Sequence, residues 1–123
     1  MNDRPYVICA DDDRDILSLV ALRLERSGFD VATANDGEEA LELARARRPV
    51  VVVLDVMMPR LNGVELVKTL RADAALGDVK IILLSARAQD TDVARGLDAG
   101  ADAYLVKPFK YTELAEEIER LTA

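Results

Sequence analysis

The sequence predicts an α/β fold, a doubly wound sheet of five parallel strands in the order 2-1-3-4-5 with helices on both faces. Five short apolar segments alternate with five segments of helical periodicity, the pattern of repeated strand–helix units. The third and fourth apolar segments are almost continuously apolar, as expected for parallel strands covered on both faces. The length of 123 residues is that of one domain, so we expect a single domain over residues 1–123.

Five segments have the length and composition of strands. They are Tyr6–Ala10, Val31–Ala34, Val50–Leu54, Lys80–Leu84 and Ala103–Val106. Right-handed crossovers leave few topologies for so short a chain. The predicted order places the first and third strands side by side where the sheet reverses direction, and ligands of such sheets bind there, beyond the carboxyl ends of the strands.

The segments between the strands carry apolar residues at helical spacing. In chain order, these stripes are Ile16–Leu24, Ala40–Ala44, Leu66–Leu70, Val93–Leu97 and Leu114–Leu121. Asp36 can cap the second helix, while Gly28 and Gly100 follow the first and fourth helices as stop signals.

Composition excludes several classes of function. Acidic residues outnumber basic ones by 23 to 16, so a domain of net charge −7 is not expected to bind nucleic acid directly. No apolar run approaches the roughly 20 residues of a membrane span, and no signal peptide is visible, so we expect a cytoplasmic protein. The lone cysteine, Cys9, rules out an internal disulfide, and the absence of histidine excludes histidine-activated nucleophiles and histidine-bound zinc.

Acidic residues follow the first and third predicted strands. Asp11 and Asp12 come directly after the first strand, and Asp55 comes directly after the third. If these strands are neighbours, three carboxylates meet in one crevice and repel each other strongly. A hard divalent cation would offset that repulsion, and Mg²⁺ is the usual cation where phosphate also binds. In the alternative interpretation, Asp12 or Asp13 caps the first helix and the other acids are solvated.

A hydroxyl and an ammonium group follow the fourth and fifth strands, where Ser85 and Lys107 stand. Alone, each could be an ordinary loop or surface residue, but both lie at the edge that carries the acids, and together they suit an anion. The combination predicts phosphoryl transfer to a carboxylate. Asp55 is the candidate nucleophile, Lys107 and the metal neutralise the phosphoryl oxygens, and Ser85 donates a hydrogen bond.

From Tyr6 to about Leu121, the chain resembles the receiver domains of bacterial two-component response regulators, in particular the chemotaxis-regulator-like ones. The matching segments are Asp11–Asp12, Leu54–Pro59, Asn62–Gly63, Leu84–Ala86, Gly100–Tyr104 and Lys107–Phe109. The resemblance implies the flavodoxin-like sheet predicted above. It also implies a protein that catalyses its own phosphorylation and dephosphorylation, rather than an enzyme acting on an external substrate.

The resemblance also implies roles at the predicted crevice. Asp55 would be the phosphoacceptor. Asp12, the backbone carbonyl of Met57, Asp55 itself and, mainly through water, Asp11 would hold Mg²⁺. Lys107 would pair with Asp55 or with the phosphoryl oxygens.

Further residues gain roles from the same resemblance. Ser85 and Tyr104 would form the switch, with the Tyr104 ring turning inward when Ser85 moves toward the phosphoryl group. Met57 and Arg87 would tune the phosphoryl lifetime. The Lys107–Pro108 peptide is expected to be cis, which an X–Pro bond in a tight turn allows.

The implied pathway is a phosphorelay. A partner histidine kinase or histidine phosphotransfer protein would donate the phosphoryl group from a phosphohistidine. Phosphorylation would then change the surface formed by the fourth helix, fifth strand and fifth helix, and so control a downstream protein partner or an output domain.

Three positions differ from receivers that dimerise by ion pairs and carry a DNA-binding output domain. Val93, Ala103 and Glu117 stand where a basic residue, a second aspartate and an arginine are usual. We therefore do not expect that dimer. With no output domain after Ala123, a stand-alone receiver is favoured over the receiver fragment of a DNA-binding transcription regulator.

Two other classes share part of the pattern. A Mg²⁺-dependent phosphatase of the dehalogenase type needs a second aspartate two residues after the nucleophile, where Met57 stands, and a cap domain that the chain has no room for. A flavodoxin-like electron carrier needs a Ser/Thr/Gly-rich phosphate loop and aromatic residues around its ring. Here the loop after the first strand is Asp11–Asp13, and aromatic residues make up 4% of the chain.

Overall fold

The computed structural model describes residues 4–58, 60–86 and 91–122 and contains a five-stranded sheet. The strands are β1 (Tyr6–Ala10), β2 (Asp30–Ala34), β3 (Val51–Asp55), β4 (Lys80–Ser85) and β5 (Ala103–Val106). All neighbouring strands pair in parallel, in the order β2-β1-β3-β4-β5. The predicted doubly wound topology is confirmed.

Strand boundaries differ from the prediction where the hydrogen-bonded ladder continues. Asp55 belongs to β3, paired with Leu84, and the next amide, that of Val56, donates to the Leu84 carbonyl at 2.9 Å. Ser85 likewise belongs to β4, and its carbonyl accepts from the Lys107 amide at 2.7 Å. Both polar residues are therefore held by the sheet rather than by a loop. β2 begins one residue early, at Asp30, whose amide donates to the Pro5 carbonyl.

Five helices connect the strands. They are α1 (Arg14–Arg26), α2 (Gly37–Ala46), α3 (Gly63–Ala72), α4 (Thr91–Ala99) and α5 (Tyr111–Thr122). The side chains of Asp13, Asp36 and Asn62 accept hydrogen bonds from the first-turn amides of α1, α2 and α3, as N-cap residues do. Asp13 rather than Asp12 therefore caps α1. Within the described residues, none of these helices is both long enough and apolar enough to cross a bilayer.

The core lies in two layers, one on each face of the sheet. On one face, Ile8 and Leu83 pack with the apolar sides of α2, α3 and α4. On the other, Val7 and Val53 pack with α1 and α5. Because successive strand residues point to opposite faces, both faces need apolar residues, which explains the uninterrupted apolar runs.

The predicted apolar stripe of α4 is only partly correct. Val93 is buried, with 3% of its surface exposed, but Ala94 is exposed and Leu97 is 37% exposed. Gly96 completes the buried face, because a Cβ atom there would lie 2.3 Å from the Leu83 side chain. The helix backbone thus packs directly on β4. Val93 consequently does not lie on the exposed face where an intermolecular ion pair would form.

Cys9 is expected to be chemically inert in the folded protein. Burial raises the pKa of its thiol to about 12, and the nearby charge of Asp11 adds to the rise. At pH 8 only about one thiol in ten thousand is ionised, and the thiolate is the reactive form. Iodoacetamide at pH 8 should therefore label Cys9 rapidly in guanidinium chloride and very slowly in buffer. Comparable labelling rates in the two solutions would contradict this burial.

Candidate functional site

The carboxyl edge of the sheet brings the predicted acidic residues together. β1 and β3 pair through Ala10 and Leu54, so Asp11, directly after Ala10, lies beside Asp55, which ends β3. Both carboxylates are buried, with 1% of Asp11 and 7% of Asp55 exposed. Asp12 is exposed on the solvent side of the pair. The structure therefore forms the predicted crevice.

Lys107 reaches this crevice from the end of β5. Its ammonium nitrogen Nζ lies 2.7 Å from Asp11 Oδ2 and 3.3 Å from Asp55 Oδ2. Burial alone would lower the pKa of Lys107, but the hydrogen bond with Asp11 and the attraction of both carboxylates raise it above its ordinary value. The lysine therefore stays charged at neutral pH. The Lys107–Pro108 peptide after it is cis, as predicted.

Opposing effects act on the pKa of Asp55. Burial raises the pKa of its carboxyl to about 7, and repulsion from Asp11 adds to the rise, while Lys107 and the Met57 amide act in the opposite direction. The Met57 amide donates to Asp55 Oδ1 at 3.3 Å. Asp55 is thus a carboxylate with an unusually high proton affinity that nevertheless ionises near neutral pH.

The donor set fits a hard divalent cation. Carboxylate oxygens of Asp11, Asp12 and Asp55 all lie within 4.8 Å of one another. Asp11 Oδ2 is buried, and the Lys107 ammonium lies 2.7 Å from it. A set of carboxylate oxygens with no nitrogen or sulfur ligand suits a hard cation such as Mg²⁺ better than a softer metal.

Gly63 allows α3 to begin directly against the site. Its amide donates to the Val56 carbonyl at 2.9 Å. A Cβ atom at Gly63 would lie 2.7 Å from the Asp55 carbonyl oxygen, so any larger residue would displace the end of β3. This close approach explains the value of glycine in the Asn62–Gly63 pair.

The remaining predicted residues lie around the crevice at different depths. Ser85 is 1% exposed and follows Leu84, the register partner of Asp55. Tyr104 on β5 is 40% exposed, and the Met57 side chain is 65% exposed beside the site. Arg87 lies outside the described residues.

A hydrogen-bond hub centred on Arg71, which no sequence pattern predicted, supports the strands of the site. The Arg71 guanidinium donates to the carbonyls of Gly77, Val79 and Gly100 and to the Asp102 carboxylate, and Asp102 also accepts from the Ile81 amide. This hub joins the end of α3 to the start of β4 and to the turn before β5. Its contacts with Gly100 and Asp102 span 29 and 31 residues of sequence, so an arginine near the end of a helix offered no local signal for them.

The chain is similar to known proteins in sequence and in fold. Residues 7–119 match the family described as the response regulator receiver domain. The chain is 49% identical over 117 residues to the transcriptional regulatory protein PrrA of Mycobacterium tuberculosis, an overlap of 95% of this chain and 49% of PrrA. It spans about half the length of the curated relatives that it matches.

Two solved structures extend the likeness to three dimensions. The receiver domain of the Francisella response regulator 1452 is 38% identical, with a TM-score of 0.87 and 97% of each chain covered. The receiver domain of the sensor histidine kinase PA1611 from Pseudomonas aeruginosa is 28% identical, with a TM-score of 0.90 and coverage of 97% and 98%. That structure has a magnesium ion coordinated in its active-site cleft.

Replacing Asp55 by asparagine should stabilise the metal-free protein at neutral pH. The folded-state pKa of Asp55, about 7, exceeds its ordinary value of 3.8, so its protonated form favours folding. That contribution is complete below about pH 4 and is lost as pH rises through about 7. In EDTA at pH 8, Asp55→Asn should therefore raise Tm by roughly 3–6 °C, equivalent to about 1 kcal/mol, and by much less at pH 4.5.

Thermal unfolding of wild type, Asp55→Asn and the exposed-site control Asp98→Asn would check this expectation. Mg²⁺ should stabilise wild type more than Asp55→Asn, because it offsets the charge that the substitution removes. Equal pH dependence of Tm in wild type and Asp55→Asn would contradict the assignment of a destabilising charge to Asp55.

Proposed function

The chain belongs to the receiver domains of two-component response regulators, and we propose that it accepts a phosphoryl group on Asp55. The donor is the phosphohistidine of a partner histidine kinase or histidine phosphotransfer protein. The observation that carries the proposal is the contact of one ammonium group, Lys107 Nζ, with both Asp11 and Asp55 at the carboxyl edge. A nucleophile and a cation for the transferred group therefore stand side by side.

Asp55 is the best placed of the three acids to act as nucleophile. Asp11 is the most deeply buried and holds the shorter contact with Lys107, which makes it a support for the cation. Asp12 is exposed, and no contact with Lys107 is seen within the described residues. Asp55 is more exposed than Asp11, at 7% against 1%, and also contacts Lys107, so it can meet an incoming phosphorus atom with the ammonium group already in place.

The transfer would form a bond between an Asp55 carboxylate oxygen and phosphorus while the phosphorus–nitrogen bond of the donor breaks. The donor imidazole leaves with that electron pair and takes up a proton from solvent. Lys107 would neutralise charge on the phosphoryl oxygens as the donor departs. Asp11, Asp12, Asp55 and the Met57 carbonyl would hold Mg²⁺, which supplies further positive charge for those oxygens.

The switch is proposed to run from Ser85 to Tyr104. Ser85 is buried beside the end of β3, where a phosphoryl group on Asp55 would attract its hydroxyl. The exposed Tyr104 ring can then turn inward and change the surface of α4, β5 and α5 for a downstream protein or output domain. Met57 and Arg87, each two residues past a site residue, are proposed to tune the phosphoryl lifetime.

The output is proposed to be protein-mediated and cytoplasmic. A net charge of −7 disfavours direct DNA contact by this domain, although PrrA is named a transcriptional regulator. An ion-paired dimer across α4, β5 and α5 is disfavoured as well. Glu117 already contacts Arg120 on its own helix at 2.5 Å, and Ala103 carries no charge.

Native mass spectrometry with Mg²⁺ and acetyl phosphate should show one phosphoryl group on wild type. Asp55→Asn should gain none, because an amide oxygen is a far weaker nucleophile, whereas Asp98→Asn should match wild type. A species that stays monomeric would support a switch for protein partners, and a shift to dimer would indicate a receiver that acts through an output domain. Absence of any phosphoryl addition to wild type would refute the assignment.

The same samples distinguish a receiver from a phosphatase of the dehalogenase type. A receiver should consume about one equivalent of donor and then only replace phosphoryl groups lost by slow hydrolysis. Continuous release of phosphate from a simple phosphomonoester, abolished by Asp55→Asn, would favour the phosphatase.

A further inference from the structure

The loop between β3 and α3 carries backbone groups of the site. It is closed at its base, because the Val56 amide donates to the Leu84 carbonyl and the Val56 carbonyl accepts from the Gly63 amide, both at 2.9 Å. Between these points lies Met57, whose amide contacts Asp55 Oδ1 and whose carbonyl is a proposed Mg²⁺ ligand. The position of this loop therefore affects both Asp55 and the metal.

Arg60 holds the far side of this loop to α2. Its φ angle of 67° lies in the left-handed region, which is unfavourable for a residue with a side chain. In this conformation its Nη1 atom lies 2.8 Å from Asp36 Oδ2. The other Asp36 oxygen, Oδ1, accepts from the Glu39 amide at 2.9 Å. One carboxylate thus caps α2 and binds the loop.

The loop backbone also rests directly on the first residue of α2. A Cβ atom at Gly37 would lie 1.8 Å from the Leu61 carbonyl oxygen, so only glycine allows this contact. Leu61 follows Arg60, so the backbone contact and the ion pair hold adjacent residues of the loop. An ion pair with an exposed arginine contributes little to the free energy of unfolding, so its main effect is expected on the conformation of the loop.

We propose that Arg60 and Asp36 are positioning residues that hold the β3–α3 loop so that the Met57 backbone meets Asp55 and Mg²⁺ correctly. The inference rests on the proposed function, since it assigns the Met57 carbonyl to the metal. The ion pair secures an otherwise unfavourable backbone conformation at Arg60. Without it, the loop would sample other conformations and the metal site would lose part of its organisation.

Three variants separate this role from a general effect on folding. Asp36→Asn keeps an oxygen for the α2 cap but removes the charge. Arg60→Gly removes the side chain while relieving the backbone, and Arg60→Lys keeps the charge. The matched control is Asp78→Asn, which removes the acidic partner of Arg48 in an exposed ion pair. Asp78 lies just before β4, at the opposite edge of the parallel sheet from Asp55.

Calorimetric titration with Mg²⁺ and thermal unfolding in EDTA should be measured on each protein. We expect Asp36→Asn and Arg60→Gly to raise the Kd for Mg²⁺ by about three- to tenfold. This increase is smaller than the one caused by removing a buried hydrogen-bond partner of a metal ligand, because the Arg60–Asp36 pair is exposed. Arg60→Lys should stay closer to wild type, and Asp78→Asn should match it. The Tm in EDTA should change little in Asp36→Asn and should not fall in Arg60→Gly.

Phosphorylation by acetyl phosphate provides a second readout. The Mg²⁺ concentration for half-maximal rate should rise in Asp36→Asn and Arg60→Gly, while the rate at saturating Mg²⁺ returns to that of wild type. Wild-type Kd values in both variants, or a rise in Kd matched by a large fall in Tm, would overturn the positioning role. Failure of wild type itself to bind Mg²⁺ or take up a phosphoryl group would instead overturn the proposed function.

Discussion

The contact of Lys107 with two buried carboxylates is the interaction on which the site depends. Asp11 and Asp55 are almost removed from water, and two like charges so placed would strongly destabilise the edge of the sheet. Lys107 offsets that repulsion at 2.7 and 3.3 Å. The backbone supports this arrangement, since the Lys107 amide is bound to the Ser85 carbonyl and the chain then turns through a cis peptide.

The two-layered core explains why these charges lie at the edge. Both sheet faces are covered, so within the strands nearly every side chain must be apolar. Polar chemistry is possible where the ladder ends, and Asp55 and Ser85 occupy the final positions of β3 and β4. At this edge the hydrogen-bonded strands fix the backbone from which each polar side chain extends. The loops that follow lie close enough for their backbone groups to contact these side chains, as the Met57 amide contacts Asp55.

Sequence patterns predicted what is encoded locally. The strands, their order and the convergence of Asp11, Asp12, Asp55, Ser85 and Lys107 follow from apolar runs and from the rule that parallel strands end at one edge. The register of α4 did not follow, because Gly96 rather than a larger apolar residue faces β4. The Arg71 hub and the Arg60–Asp36 contact were missed, since each joins residues far apart in sequence.

Cys9 and Asp55 show how one physical effect, burial, acts on two residues in different surroundings. Burial is the main cause of the raised pKa in both, to about 12 for the thiol and about 7 for the carboxyl. Cys9 lies within β1 among apolar side chains and remains a neutral thiol. Asp55 ends its strand, where Lys107 and the Met57 amide favour the anion. The carboxylate is therefore poorly solvated yet still ionisable at neutral pH, which is the state that the proposed nucleophilic role of Asp55 requires.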